Sequence, residues 1–291
     1  MTPIAFQQVD VFTAVPFKGN PVAVILDGSR LAAEQMRAIA SWTNLSETTF
    51  VCPPSDPAAD YRLRIFTPRA ELPFAGHPTI GSAHAVLRHG RVPKRAGRLV
   101  QECGKGLVDI RVEGERLFLT LPVPAFREPE AGARAEAAAA LGVSAADLVR
   151  AAIVDVGPVW FTVQLRDAAQ IAKLVPDMAA VAALSRDPVT GLNVFALYGD
   201  DAEAEDGARA DVEVRSFAPA HGVPEDPVCG SGNGCVAALI RRDGVLAQDR
   251  YVASQGRCLG RDGRVEIRFE PDGAIRLGGH AVTCVEGTLS V

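Results

Sequence analysis

The sequence lacks the marks of several large protein classes. No apolar run in its 291 residues reaches the ~18–20 that a membrane-crossing helix needs. No cluster of Lys and Arg stands out. The 30 basic residues are interspersed with 35 acidic ones and the formal net charge is −5, so no footprint for nucleic acid is offered. The six cysteines contain no C-x-x-C, and the five histidines no H-E-x-x-H or paired-ligand spacing. Neither a redox dithiol nor a metal centre is therefore expected. The opening "MTPIAFQQVDVFTAV" lacks a basic n-region and carries Asp10 inside its apolar run. It reads as a strand rather than a signal peptide, and the cysteines as reduced thiols of a cytoplasmic protein.

What is present is an ordinary globular composition, 48% apolar and 22% charged, ample for a real core. The length suits one large domain or two of about 150 residues. Strand patterns are expected in "IAFQQVDVF", "VAVIL", "ETTFVC", "YRLRIFTP", "RLVQECGKG", "VDIRVEG" and "ERLFLTLP". Helices are expected in "AAEQMRAIASWT" and in "TIGSAHAVLRHG", which ends at Gly90. A proline-bearing stretch, Pro122 to Pro129, followed by an alanine-rich helix marks a domain boundary, giving domains 1–126 and 127–291, with the last strand free to return to the first domain. Further on, "AAIVDVGPVWFTVQL" reads as one strand interrupted by Gly-Pro, "GLNVFALYG" and "ADVEVRSFAP" as strands, and "GSGNGCVAALIRRDG" as a helix ending at Gly244. A hairpin turn is signalled at Pro271-Asp272-Gly273.

The halves echo each other. Arg64, Phe66, Pro68, Pro73 and Gly81 match Arg215, Phe217, Pro219, Pro224 and Gly232 at a single offset (215 − 64 = 151). Each run has the plan strand, proline-bearing loop, helix beginning among small residues. Duplication at this scale implies two similar domains with a cleft between them, a favoured place for a ligand. Two helix N-termini facing such a cleft suit a small anion such as a carboxylate.

The second of these runs, "EDPVCGSGNGC", is neither a Walker loop nor a dinucleotide fingerprint, because its glycines recur every second residue and no Lys follows. Its glycines, Gly230 and Gly232 among them, either let a helix start pack tightly or let backbone N–H groups approach a carboxylate. Of its two acids, adjacent in an extended segment and so pointing to opposite sides, Asp226 lies nearer the helix and is the candidate to face the site. His77, in "PFAGHPT" of the first run, is an acid/base candidate or a structural histidine. Glu47, in "NLSETTFV", is an ordinary surface acid or a base that can hand its proton back. Cys229 is a small buried residue or a reactive thiol, whose pKa a helix N-terminus would lower.

Together "VDVFTAVPFKGNPVAV", "NLSETTFV", "RIFTPRAELPFAGHPTIGSAHAVL" and "EDPVCGSGNG", in order from Val9 to Gly234, resemble the phenazine-biosynthesis isomerase (PhzF-like) family. The resemblance implies an α+β fold of diaminopimelate-epimerase type, with two pseudo-symmetric domains. Each is a curled, mostly antiparallel sheet around a central helix. It also implies a homodimer and a cofactor-independent isomerisation of a small carboxylate substrate, while charge pattern and hydropathy lead us to expect no nucleic-acid or membrane partner. Carried over by motif, it makes Glu47 the proton shuttle, His77 the hydrogen-bonding histidine, and Asp226 and Ser231 the acid and hydroxyl of the facing wall. Gly76, Gly230, Gly232 and Cys229 would line the substrate. One departure stands out: Cys229 occupies a place where many relatives carry Thr. Related epimerases and racemases use two opposed cysteines, and here the first motif has none. An amino-acid epimerase with Cys229 as one base, and a non-catalytic binding protein on the same fold, are the alternatives.

Overall fold

A computed structural model describes residues 3–199 and 210–291. The chain divides into two compact units, Met1–Thr120 with Gly278–Val291, and Leu121–Leu277.

The first unit contains β1 (Pro3–Val11), β2 (Asn20–Ile25), α1 (Ala33–Thr43), β3 (Thr48–Cys52), β4 (Tyr61–Phe66), β5 (Glu71–Leu72), α2 (Gly76–Arg88), β6 (Arg98–Cys103), β7 (Gly106–Glu113) and β8 (Arg116–Thr120). The second contains β9 (Ala125–Arg127), α3 (Ala133–Leu141), β10 (Leu148–Asp155), β11 (Val159–Leu165), α4 (Ala168–Lys173), α5 (Met178–Leu184), β12 (Val189–Leu197), β13 (Val212–Ala218), β14 (Val223–Asp226), α6 (Gly230–Asp243), β15 (Arg250–Gln255) and β16 (Gly263–Phe269). The final strand, β17 (Ile275–Ser290), begins in the second unit and ends in the first, where it pairs antiparallel with β1.

The duplication is topological. In the first unit β2 and β3 pair parallel, β3 and β4 antiparallel, β4 and β5 antiparallel, β4 and β6 parallel, and β6 and β7 antiparallel. In the second, β11, β12, β13, β14, β15 and β16 repeat those five pairings with the same senses. The α+β class follows: mostly antiparallel sheets, each with a helix enclosed. In the first unit the ring closes, because β8 also pairs with β17.

The enclosed helices explain the small-residue runs. In α2 every residue from His77 to Ala83 is buried, as are Ala85 and Val86. In α6 burial extends from Gly232 to Ile240. A helix apolar on all sides must be surrounded, and the Gly, Ala and Ser along it let strands approach closely. At Gly81, for example, an added Cβ would lie 2.4 Å from Val22 Cγ1 and 3.0 Å from Val11 Cγ2. Helix α2 starts at Gly76, ahead of the "TIGSAHAVLRHG" pattern, because Pro78 falls in the first turn, where its missing N–H costs nothing. Both helices end as expected, α2 with cap His89 just before Gly90 and α6 at a left-handed Gly244.

Larger apolar side chains cover the outer faces of the sheets. Ile4, Ile25, Phe50 and Phe66 pack with Met36 and Ala40 of α1. In the second unit α3, α4 and α5 lay Leu141, Ile171, Val181 and Leu184 over Phe161, Val163, Leu192 and Phe217. The segment "AAIVDVGPVWFTVQL" is not one interrupted strand but two, β10 and β11, paired antiparallel with Asp155 opposite Val159. Gly157, at φ 110°, makes the turn, and its N–H donates to Asp155 Oδ1.

The repeated Arg-x-Phe is repeated in its contacts as well. Arg64 forks onto Glu71 (2.7 and 2.8 Å) and lies over the Phe66 ring. Arg215 forks onto Glu225 (2.8 and 2.8 Å), lies over Phe217, and also donates to the carbonyls of Ile171 and Leu174. The copies differ in burial: the Arg64 and Glu71 side chains are 23% and 40% exposed, those of Arg215 and Glu225 6% and 9%. Removing one partner of a buried pair strands the other, whereas an exposed pair is screened by water. Arg215→Ala should therefore cost about 3–5 kcal/mol in urea unfolding, and Arg64→Ala no more than about 1 kcal/mol. Equal costs would refute this account of the two pairs.

His84, inside the first barrel, has Nε2 3.1 Å from Thr283 Oγ1. Burial, followed by the nearby Arg88 charge, lowers its pKa to about 4. The unfolded chain binds a proton here near pH 6.5 and the folded one does not, so stability is full above pH 6.5 and falls as pH drops toward 4. The loss should approach ~3 kcal/mol, and His84→Gln should flatten that part of a stability–pH curve measured by urea unfolding.

Candidate active site

Each central helix begins directly after a short edge strand, and the two starts correspond residue for residue once helix positions are compared. Helix α2 begins at Gly76 with cap Ala75, and α6 at Gly230 with cap Cys229. The offset there is 230 − 76 = 154, not the 151 that holds for Arg64 and Phe66. The 3₁₀ turn Pro219–His221 lies in the second loop, and three extra residues there shift the register. At 154, "ELPFAGHP" lies over "EDPVCGSG", and the partners become Glu71 with Glu225, Pro73 with Pro227, Gly76 with Gly230, and His77 with Ser231. The Pro73–Pro224 and Gly81–Gly232 matches are thus coincidences of the unshifted register.

In the first unit, His77 is the second residue of α2 and is 8% exposed. Asn20, which opens β2, has its Nδ2 3.5 Å from His77 Nδ1. An amide nitrogen only donates, so Nδ1 accepts and Nε2 carries the ring proton. Nε2 lies 3.3 Å from Oε2 of Glu47, the residue just ahead of β3. Both atoms are buried, and among the described residues neither finds a well-aligned hydrogen bond. Folded proteins leave few polar atoms so, and those few call for a chemical reason. A carboxylate and an imidazole set against each other, one side chain apart from a helix start, can take up and return a proton. A Cβ added at Gly76 would meet nothing within 4 Å, so the first residue of the helix faces open space.

In the second unit, Glu225 is committed to Arg215, and the adjacent Asp226 accepts the N–H of Val228 on Oδ1 (3.1 Å). Gln255 of β15, fully buried, clamps the turn: its Oε1 accepts from Cys229 N–H (3.1 Å) and Asn233 Nδ2 (2.7 Å), and its Nε2 donates to the Asp226 carbonyl (2.9 Å). A comparable glutamine, Gln101, donates to Thr79, the fourth residue of α2. Ser231 Oγ accepts the indole N–H of Trp160 (3.0 Å) and lies 3.5 Å from Cys229 Sγ.

Gly232 serves packing. Its N–H donates to Cys229 Sγ (3.3 Å), its carbonyl accepts from Asn193 (2.8 Å), and a Cβ there would lie 2.6 Å from Ser216 Oγ. Cys229 caps the helix with its sulfur, yet its thiol is not activated. Burial pushes its pKa well above the usual thiol value, and the Asp226 carboxylate pushes further the same way, against the Ser231 hydroxyl and Gly232 N–H. Full desolvation outweighs what the helix start supplies. The position matching Cys229 in the first unit is Ala75, so no second thiol stands at that cap.

The structure thus joins Glu47 to His77 in one unit, and Asp226, Cys229, Gly230 and Ser231 in the other. Sequence reasoning missed Asn20, Trp160 and Gln255. Asn20 lies between Gly19 and Pro21, a setting in which an Asn reads as an ordinary turn residue. Gln255 and Trp160 come from strands distant in sequence, with no motif around them.

This fold and these two helix starts define a class, the epimerase-like isomerases, and comparison with known proteins narrows it. The model of the phenazine biosynthesis-like protein family (PhzC-PhzF) matches residues 9–287. "Antisense-enhancing sequence 1" of Schizosaccharomyces pombe is 38% identical, over 99% of each chain. The trans-2,3-dihydro-3-hydroxyanthranilate isomerase of Pseudomonas chlororaphis is 34% identical, over 97% of each. Among solved structures, a phenazine biosynthesis protein of the PhzF family from Bacillus anthracis superposes with TM-score 0.86 at 25% identity, covering 100% of both chains. A probable proline racemase from Agrobacterium radiobacter shares the fold, with TM-score 0.61 at 16% identity over 99% of this chain and 93% of that one. The chain belongs to the phenazine biosynthesis-like (PhzF) family and is an isomerase.

The thiol assignment is directly testable. Iodoacetamide near neutral pH should label the exposed Cys258 well before the buried Cys229, as read by peptide mass mapping. Equal rates would show that burial does not control Cys229.

Proposed function

We propose that this protein is a cofactor-independent isomerase that moves a proton between carbons of a small carboxylate substrate. The observation that carries the reading is the buried Glu47–His77 pair, with Oε2 and Nε2 3.3 Å apart at the start of α2. Glu47 removes a proton from an activated C–H and returns it elsewhere on the substrate. His77, its tautomer set by Asn20, turns its Nε2–H toward the carboxylate and holds it in place. Asp226 and Ser231 position the substrate at the start of α6. The free N–H groups at Gly76 and Gly230 suit the substrate carboxylate.

The relative from Pseudomonas supports one compound as the first to try, trans-2,3-dihydro-3-hydroxyanthranilate. The rival, an epimerase with Cys229 as base, is disfavoured by the raised thiol pKa and by Ala75 at the matching cap. With an active substrate in heavy water, Glu47→Gln should lose ~10²–10⁴-fold in kcat together with deuterium incorporation into product, and Cys229→Ala should keep both. Full activity in Glu47→Gln, or exchange that vanishes only in Cys229→Ala, would overturn the assignment.

A further inference from the structure

The second position of the central helix is His77 in one unit and Ser231 in the other, and each unit aims a different side chain at it. Strand register identifies the counterparts. Thr48 pairs with Phe66 and Leu192 with Phe217, so Glu47, one residue before Thr48, corresponds to Gly191. On the neighbouring strand Ala23 pairs with Thr48 and Phe161 with Leu192, so Trp160 corresponds to Val22. The two units have therefore exchanged bulk. One has a small valine beside a glutamate, the other a tryptophan beside a glycine. The exchange is enforced sterically: a Cβ at Gly191 would sit 2.1 Å from the Phe217 carbonyl oxygen and 3.0 Å from Cζ3 of Trp160. No acid can stand there. The second unit has an indole where the first has its base.

We propose that Trp160 is a positioning residue that makes Ser231 a one-way hydrogen-bond donor to an anionic oxygen of the substrate; this rests on the functional reading above. Trp160 is 3% exposed, and a buried indole N–H, which can only donate, needs an acceptor. It has one in Ser231 Oγ at 3.0 Å. That bond occupies a lone pair and turns the hydroxyl hydrogen away from Trp160. Among the described residues it has beside it the weakly accepting Cys229 sulfur at 3.5 Å, and Ser231 is partly exposed. Donation from the indole also polarises the hydroxyl, strengthening the bond it gives in turn. The chain Trp160 N–H to Ser231 O–H to substrate oxygen holds negative charge without offering a second base, the complement of what Glu47 and His77 provide.

Two measurements on the full chain test this. The sequence holds 2 tryptophans, and the other, Trp42, is exposed on α1, so Trp42→Phe leaves Trp160 as the sole indole. Its ¹⁵N–¹H indole signal should move when benzoate is added, and the response should disappear when Ser231→Ala is introduced. In turnover of trans-2,3-dihydro-3-hydroxyanthranilate, Trp160→Phe should raise KM roughly tenfold with kcat within about threefold. Ser231→Ala should do likewise, and the double variant should be no worse than Ser231→Ala alone. Additive losses, or a fall in kcat with KM unchanged, overturn the proposal. If the unaltered protein does not turn over this compound, that substrate assignment fails and the indole signal alone decides. A signal indifferent to benzoate or to Ser231→Ala then overturns the proposal.

Discussion

The constraint on which the rest depends is the burial of an entire helix inside a curled sheet. A strand that wraps a helix needs small side chains on the helix at its closest contacts. Helices α2 and α6 are accordingly rich in Gly, Ala and Ser, with a few larger side chains such as Ile80, Val86, Leu239 and Ile240 filling the enclosed space. Such a helix has nowhere to hide the unpaired N–H groups of its first turn. Each unit answers with a clamped loop: an edge strand tied by Arg to Glu, then a cap, then a helix start facing a polar cluster. Polar side chains collect at these starts because there the architecture leaves polar groups to be satisfied.

The two units answer the same constraint with different side chains. The first places a carboxylate and an imidazole in contact; the second places a hydroxyl under an indole, beside a buried thiol that keeps its proton. The two units share one scaffold, and matched positions carry different residues, Glu47 with Gly191, Val22 with Trp160 and Ala75 with Cys229, so one copy sets a carboxylate against an imidazole and the other a hydroxyl against an indole. The absence of an acid at Gly191 is set by contact distances.

Much of this was visible in the sequence. Most of the strands, the helices α1, α2, α3 and α6 and the duplication follow from periodicity and from Arg-x-Phe in each half, and the motifs lead to the family. Other parts were hidden for identifiable reasons. The register shift from 151 to 154 was masked by two chance matches in the unshifted frame. Helices α4 and α5 are short, with alanine-rich faces whose burial only the outer layer reveals. The β10–β11 hairpin was missed because both strands are mostly apolar and only the short connection Val156-Gly157-Pro158 separates them. Trp160 and Gln255 act through partners about 70 and 30 residues away, and no local pattern encodes such contacts.

The path of β17 bears on how the chain is made. Gly278–Val291 completes the first barrel by pairing with β1 and β8, although every other strand of that barrel lies within the first 120 residues. A ribosome releases the amino-terminal segment long before the strand that closes it. Until then β1 has an open edge and the helix inside is incompletely covered. The first unit must therefore wait, partly assembled, while the second is synthesised, and its closure joins residues at the greatest sequence separation in the molecule. Order of synthesis and order of completion are thereby reversed: the half that emerges first is the half that finishes last.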